Sequence, residues 1–212
     1  MDIPELISHI ESSVANAENG ISKIIPDVIN IIGCTGLKTK HFYNNLLSMS
    51  DARYLEIGTW KGTYTCSAMC GNKATITCID NCSQIGSKNC NFLIDFNKYG
   101  GDNTIQFIEQ NCYTVDTATL PKFNIYMYNG AHSMDIDYNT LEYYFNCLDD
   151  TFIYIIDNWN FTAIKDIVAR LVRRFRLTVL YNKEIILADN SHTLAYDTWY
   201  NGLYVAILQK HK

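Results

Sequence analysis

The chain has 212 residues, 48% hydrophobic and 18% charged, the proportions of a folded protein with one buried core and not of a disordered tail. Its formal net charge of −5 comes with no broad basic face, which argues against nucleic acid as a partner; Arg170, Arg173, Arg174 and Arg176 crowd the end of one predicted helix, where cations interact with the helix dipole. Eight cysteines could frame disulfides in a secreted chain, but MDIPELISHIESS lacks the basic and apolar regions of a signal peptide, so a reducing, cytoplasmic compartment is expected.

Residues 1–50 read as a helical extension. Ile3, Leu6, Ile7, Ile10 and Val14 recur at three- and four-residue steps until Glu18-Asn19-Gly20 breaks the pattern. Pro26 opens a second helix through Ile32, and His41 to Met49 form a third. These helices could cap a sheet, cover a substrate or make a homo-oligomer contact.

From residue 51 to 212 a βα rhythm takes over, predicting a mostly parallel sheet with helices on both faces. Strands are expected near 53–57, 75–79, 104–108, 123–128 and 151–156, and helices near 62–70, 84–97, 112–118, 137–149 and 160–174. In the last two helices Tyr138, Leu141, Tyr144, Phe145 and Leu148, and then Phe161, Ile164, Ile167, Val168 and Leu171, form buried stripes. Leu177 to Ala188 and Leu203 to Leu208 fit a closing antiparallel hairpin. No apolar run approaches the ~20 residues of a membrane span. Cys66-x3-Cys70 and Cys78-x3-Cys82 lack a second ligand pair at finger-like spacing and sit in apolar periodic segments, so they read as core thiols and not as zinc ligands.

In such sheets ligands bind beyond the carboxyl ends of the strands. The first strand, Tyr54-Leu55-Glu56-Ile57, stops at Gly58, with Thr59, Trp60 and a second glycine, Gly62, before a helix. Glycines let a backbone approach a ligand closely, a helix start presents free N–H groups, and Asp80 at the next strand end can accept ribose hydroxyls. Gly58-x-x-x-Gly62 is not the G-x-G-x-x-G of dinucleotide sites, and no Tyr-x-x-x-Lys pair follows, which disfavours an NAD-dependent oxidoreductase. The other strand ends carry Asn81, then Asn111 and Cys112, then Asn129, Gly130 and His132, then Asp157 and Asn158. His132, with an unperturbed pKa of ~6.5, suits a general base, although a turn histidine also serves simply to bond a carbonyl.

YLEIGTWKGTYT, CID, YNGAHS and IYIIDNW, in that order between residues 52 and 160, resemble the motifs of class I S-adenosylmethionine (AdoMet)-dependent methyltransferases, specifically the macrocin O-methyltransferase-like family. The resemblance implies an α/β, Rossmann-like class I methyltransferase fold: a mostly parallel seven-stranded sheet with an antiparallel C-terminal hairpin. It implies AdoMet as cofactor, with Gly58 and Gly62 under its methionine part and Glu56 holding the loop or, through water, the amino group. Asp80 would take the ribose, Asn111 and Cys112 would lie near the adenine, and Thr59, Trp60 and Thr65 would line the same pocket. It further implies O-methylation of a sugar or other small hydroxylated acceptor, with His132 as base and Asp157 orienting it or the substrate. The family's Mg²⁺ site would fall on Asn129, Asp157 and Asn158, but two of its three acids are amides here, leaving a weak donor set. A cofactor-binding module that has lost turnover is the alternative.

Overall fold

The computed structural model describes residues 1–83, 92–130, 133–187 and 196–211. The chain opens with α1 (Ile3–Glu18), whose start is fixed by a reciprocal cap. The Asp2 carboxylate accepts the Glu5 N–H at 2.9 Å and the Glu5 carboxylate accepts the Asp2 N–H at 3.1 Å. Leu6, Ile10, Val14 and Ala17 form its buried stripe, so this apolar face is used within the chain itself.

The next two helices differ from the sequence pattern. α2 (Pro26–Ile29) is a single turn that stops short of Ile32, and α3 (Leu37–Leu46) begins four residues before His41. The early start of α3 has a tertiary cause. The Leu37 and Lys38 N–H groups, which a helix start leaves without internal partners, donate to Tyr196 O and Thr198 O at 2.6 and 3.1 Å.

β1 (Arg53–Ile57), α4 (Thr63–Met69), β2 (Thr75–Asp80), α5 (Phe92–Tyr99), β3 (Thr104–Glu109) and β4 (Phe123–Tyr128) follow. Then come α6 (Met134–Tyr144), β5 (Leu148–Asp157), α7 (Thr162–Arg174), β6 (Thr178–Ile185) and β7 (Leu203–Gln209). Among the described residues the strands form one seven-stranded sheet in the order β3-β2-β1-β4-β5-β7-β6. β1 through β5 pair in parallel, while β7 is antiparallel to both β5 and β6, giving the expected hairpin.

Three predicted segments change. The expected helix over 112–118 is replaced by two single 3-10 turns, Cys112–Thr114 and Thr117–Thr119. Asn111 and Asp116 cap these turns by accepting the Tyr113 and Ala118 N–H groups, a local alternative to a continuous helix. α6 begins at Met134 because Ser133 caps it, with the Ser133 N–H in turn donating to the Asp137 carboxylate at 3.0 Å. It ends at Tyr144, so Leu148 belongs to β5, opposite Phe123, and not to the helical stripe. Phe161 caps α7 without joining its buried face and is 39% exposed. Residues 84–91 of the helix expected over 84–97 lie outside the described residues, as does Ala188.

Alternation along the strands creates two cores. Tyr54, Ile76, Cys78, Met127, Ile155 and Val205 face α1, α3 and α4, whereas Leu55, Ile57, Tyr126, Tyr154 and Ile156 face α6 and α7. Cys66, Cys70, Cys78 and Cys147 are buried free thiols. No helix among the described residues is long and apolar enough to cross a membrane. The strand order reverses between β1 and β4, and a crevice at their carboxyl ends is where this topology receives ligands.

Candidate cofactor and acceptor site

That crevice is built around the turn after β1. Gly58 has φ +89° and donates its N–H to Ile79 O at 2.8 Å, while Asn129, just past β4, donates its N–H to Ile57 O at 2.8 Å. A Cβ on Gly58 would lie 2.7 Å from Asn129 O and 2.8 Å from Asn129 C, so only glycine allows the two strand ends to come this close. Trp60 and Gly62 are also left-handed, at φ 47° and 70°. The strained turn is held by Asp80 from β2: one carboxylate oxygen accepts the Trp60 N–H and the other the Cys82 N–H, both at 2.7 Å. Each oxygen keeps a second lone pair, so the carboxylate retains acceptor capacity for a ligand diol.

Glu56 and Thr65 sit beneath the turn. Glu56 alternates with the pocket-side residues of β1 and points toward α4 with no exposed surface. Its Oε2 accepts from Thr65 Oγ1 at 2.5 Å and from the Tyr54 hydroxyl at 3.0 Å, while Oε1 is buried without a partner. Burial, reinforced by the charges of Asp80 and Asp157 and only partly offset by the two hydrogen bonds, pushes its pKa up to about 8. The Thr65 hydroxyl therefore serves the acid and not the pocket wall.

The remaining expected residues spread around the rim. Thr59 is buried in the turn. Asn81 is exposed and its side-chain oxygen accepts from Ser83 N–H and Oγ–H at 3.1 and 2.7 Å. Asn111 is exposed and turned to Tyr113, and the Cys112 thiol is half-buried, its pKa raised mainly by burial and slightly by the charge of Asp80. Gly130 leaves room for the Tyr128 hydroxyl, which would stand 2.4 Å from an added Cβ. His132 lies outside the described residues.

Asp157, at the end of β5, is buried and accepts from the Tyr64 hydroxyl at 3.0 Å. Asn158 is left-handed at φ 59°, and its side-chain oxygen accepts from Asn201 Nδ2 at 2.9 Å. Asn129, Asp157 and Asn158 do not fit a divalent cation: they offer one carboxylate, already bonded to a tyrosine, and two amides, one of them committed to Asn201. Among the described residues no three His, Cys, Asp or Glu side chains are grouped as a metal site.

Sequence reasoning missed the tyrosines. Tyr43 and Tyr64 pack with ring centroids 4.9 Å apart, and Tyr43 packs on Tyr54 at 6.2 Å, so an aromatic layer links Glu56 under β1 to Asp157 at β5. The same Tyr64 hydroxyl lies 3.3 Å from Cys34 O, its single proton shared with the shorter bond to Asp157, which brings the connection between α2 and α3 to the same place. The only sequence signal was an aromatic residue just inside the helix that follows the glycine turn.

No protein-family model and no curated protein matches the sequence. Solved structures do match. The O-methyltransferase TomG from Streptomyces achromogenes, determined in complex with SAM, is 14% identical over 94% of this chain and 89% of its own, with a TM-score of 0.57. A precorrin 8W decarboxylase from Methanobacterium thermoautotrophicum is 14% identical over 89% of this chain and 100% of its own, with a TM-score of 0.58. TrmN from Thermus thermophilus is 11% identical over 87% of this chain, which spans only 52% of TrmN, with a TM-score of 0.57. At these identities the likeness establishes the fold, the Rossmann-like fold of class I methyltransferases.

Proposed function

We propose that the protein is an AdoMet-dependent methyltransferase that methylates a hydroxyl of a small molecule. The observation that carries this reading is the glycine turn at the switch point, pressed against Asn129 and latched to Asp80. The fold likeness and the ordered motifs resembling macrocin O-methyltransferase-like enzymes support it. The donor set fits the cofactor: the turn from Gly58 to Gly62 would cradle the methionine portion beside Asn129 and Gly130. Asp80 would bond the ribose hydroxyls through its remaining lone pairs, and Asn111 and Cys112 would flank the base. AdoMet supplies a methyl carbon on a positively charged sulfur.

The chain's part is to exclude water, align an acceptor oxygen behind that carbon and take its proton. His132 would take the hydroxyl proton as the acceptor oxygen is methylated, and the site would contribute mainly proximity and alignment. Asp157, held by Tyr64, would fix the acceptor or the base. No step runs through a cation. Titration calorimetry with AdoMet and its demethylated product tests the reading, and an absence of heat from both would overturn it.

A second reading, a cofactor-binding module without turnover, draws on the amides at 129 and 158 and on the Asn158–Asn201 bond. Chelator-insensitive methyl transfer to any hydroxylated acceptor rejects it.

A further inference from the structure

A cavity of about 610 Å³, within the size range of small-molecule sites, lies between the α2–α3 connection and the residues around Tyr196. Ile29, Ile31 and Ile32 form one side, Leu37 and Tyr196 another, and Lys40 closes it from α3. Two large apolar side chains stand at its rim, Ile32 78% and Tyr196 50% exposed. Lys40 does not make the cavity polar. Its ammonium is buried and donates to Ile29 O and Ile31 O at 2.5 and 2.8 Å, so it braces the wall from behind. Burial also lowers its pKa to about 8.

The wall of the cavity packs against α4, the helix that follows the glycine turn. A Cβ on Gly33, in its lining, would stand 2.1 Å from Thr63 Oγ1, so the wall rests directly on the residue that follows Gly62. The next residue leads on to β5: the Tyr64 hydroxyl, with a single proton to donate, lies between the Asp157 carboxylate at 3.0 Å and Cys34 O in the wall at 3.3 Å. On the far side the wall is fastened by the Leu37 N–H to Tyr196 O bond.

We infer that this cavity receives the methyl acceptor, and that the acceptor is a largely apolar, ring-containing alcohol or phenol and not a sugar. The inference rests on the methyltransferase reading. A sugar carries a hydroxyl on nearly every carbon, and each must find a partner when buried. With the Lys40 ammonium already bonded, the described lining leaves three polar side chains, Asn30, Thr35 and Asp197, against four branched aliphatic side chains and a tyrosine ring, too few partners for the hydroxyls of a buried sugar ring. A flat hydrophobic body would cover the isoleucines and leave a single hydroxyl to be satisfied, on the side of the wall that Tyr64 ties to Asp157.

The test uses the full chain with two probes, 9-phenanthrol and methyl α-glucoside, in calorimetric titrations alongside AdoMet. Ile32→Asp and Tyr196→Asp place a charge on the rim at exposed positions where the fold tolerates it. Saturable binding of 9-phenanthrol, weakened at least about tenfold by each substitution while AdoMet affinity stays within about twofold, is the expected result. Methyl α-glucoside is expected to give no heat. The inference is overturned if 9-phenanthrol does not bind, if neither substitution weakens it, or if the glucoside binds and is lost in the variants. Loss-sensitive 9-phenanthrol binding in a protein that gives no heat with AdoMet would uphold the apolar site and overturn the methyltransferase reading instead.

Discussion

Replacing Glu56 by glutamine should make the free protein more stable, and increasingly so as the pH rises. Glu56 is wholly buried, one carboxylate oxygen has no partner, and its pKa stands at about 8 against the ordinary 4.5. The folded chain thus keeps this proton across a range where the unfolded chain has lost it. The sign follows: the stability associated with the protonated acid is complete below pH 4.5 and is lost progressively as the pH rises to about 8. At about 1.36 kcal/mol per pH unit, the full interval corresponds to about 5 kcal/mol. Glutamine reproduces the neutral acid: its oxygen still accepts from Thr65 and Tyr54, and it cannot ionise. Urea unfolding of both proteins without ligand, at several pH values from about 5 to 9, measures the effect. Near-equal stability at the acid end and an advantage for Glu56→Gln approaching about 5 kcal/mol at the alkaline end are expected. A difference that does not change with pH would refute the argument that the buried acid is protonated in the fold.

The other predictions concern the cofactor turn and the chemistry. Gly58→Ala forces a side chain onto Asn129 at a left-handed φ, and should lower AdoMet affinity at least about tenfold in calorimetry while destabilising the chain by about 1–3 kcal/mol in thermal unfolding. Asp80→Asn exchanges an acceptor for a donor opposite either the Trp60 or the Cys82 N–H, so AdoMet affinity should fall by about tenfold or more together with a loss of about 1–3 kcal/mol in stability. His132→Gln should reduce single-turnover methyl transfer by about 10²–10⁴ and leave the AdoMet dissociation constant unchanged; an unaltered rate would remove the histidine from the mechanism.

The parallel sheet was legible because its strands are short apolar runs punctuated by glycine, asparagine and aspartate, and because burial on both faces leaves that pattern little freedom. Elements whose limits depend on distant contacts were misjudged. α3 starts at Leu37 because carbonyls near residue 197 accept its first N–H groups, a contact across about three quarters of the chain that no local window contains. The 112–118 segment failed for the opposite reason: Asn111 and Asp116 bond their own neighbours, so short-range side-chain capping prevailed over the helix that the βα rhythm led one to expect.

The site divides along the same line. The turn itself was legible at Gly58 and Gly62, whose positive φ angles few residue types adopt, whereas the latch that Asp80 makes to the Trp60 and Cys82 N–H groups was not. Thr65 was assigned to the pocket wall from its place in the motif, yet one turn of helix carries its hydroxyl inward to Glu56, where it supplies one of the two hydrogen bonds to a carboxyl group with no exposed surface. Tyr54 supplies the other from the same strand, two residues away and on the same face. The acid is thus held by a helix and a strand at once. Displacing α4 would break one of its bonds, so the glycine turn, which joins that strand to that helix, is fixed from below by Glu56 as well as from the side by Asp80.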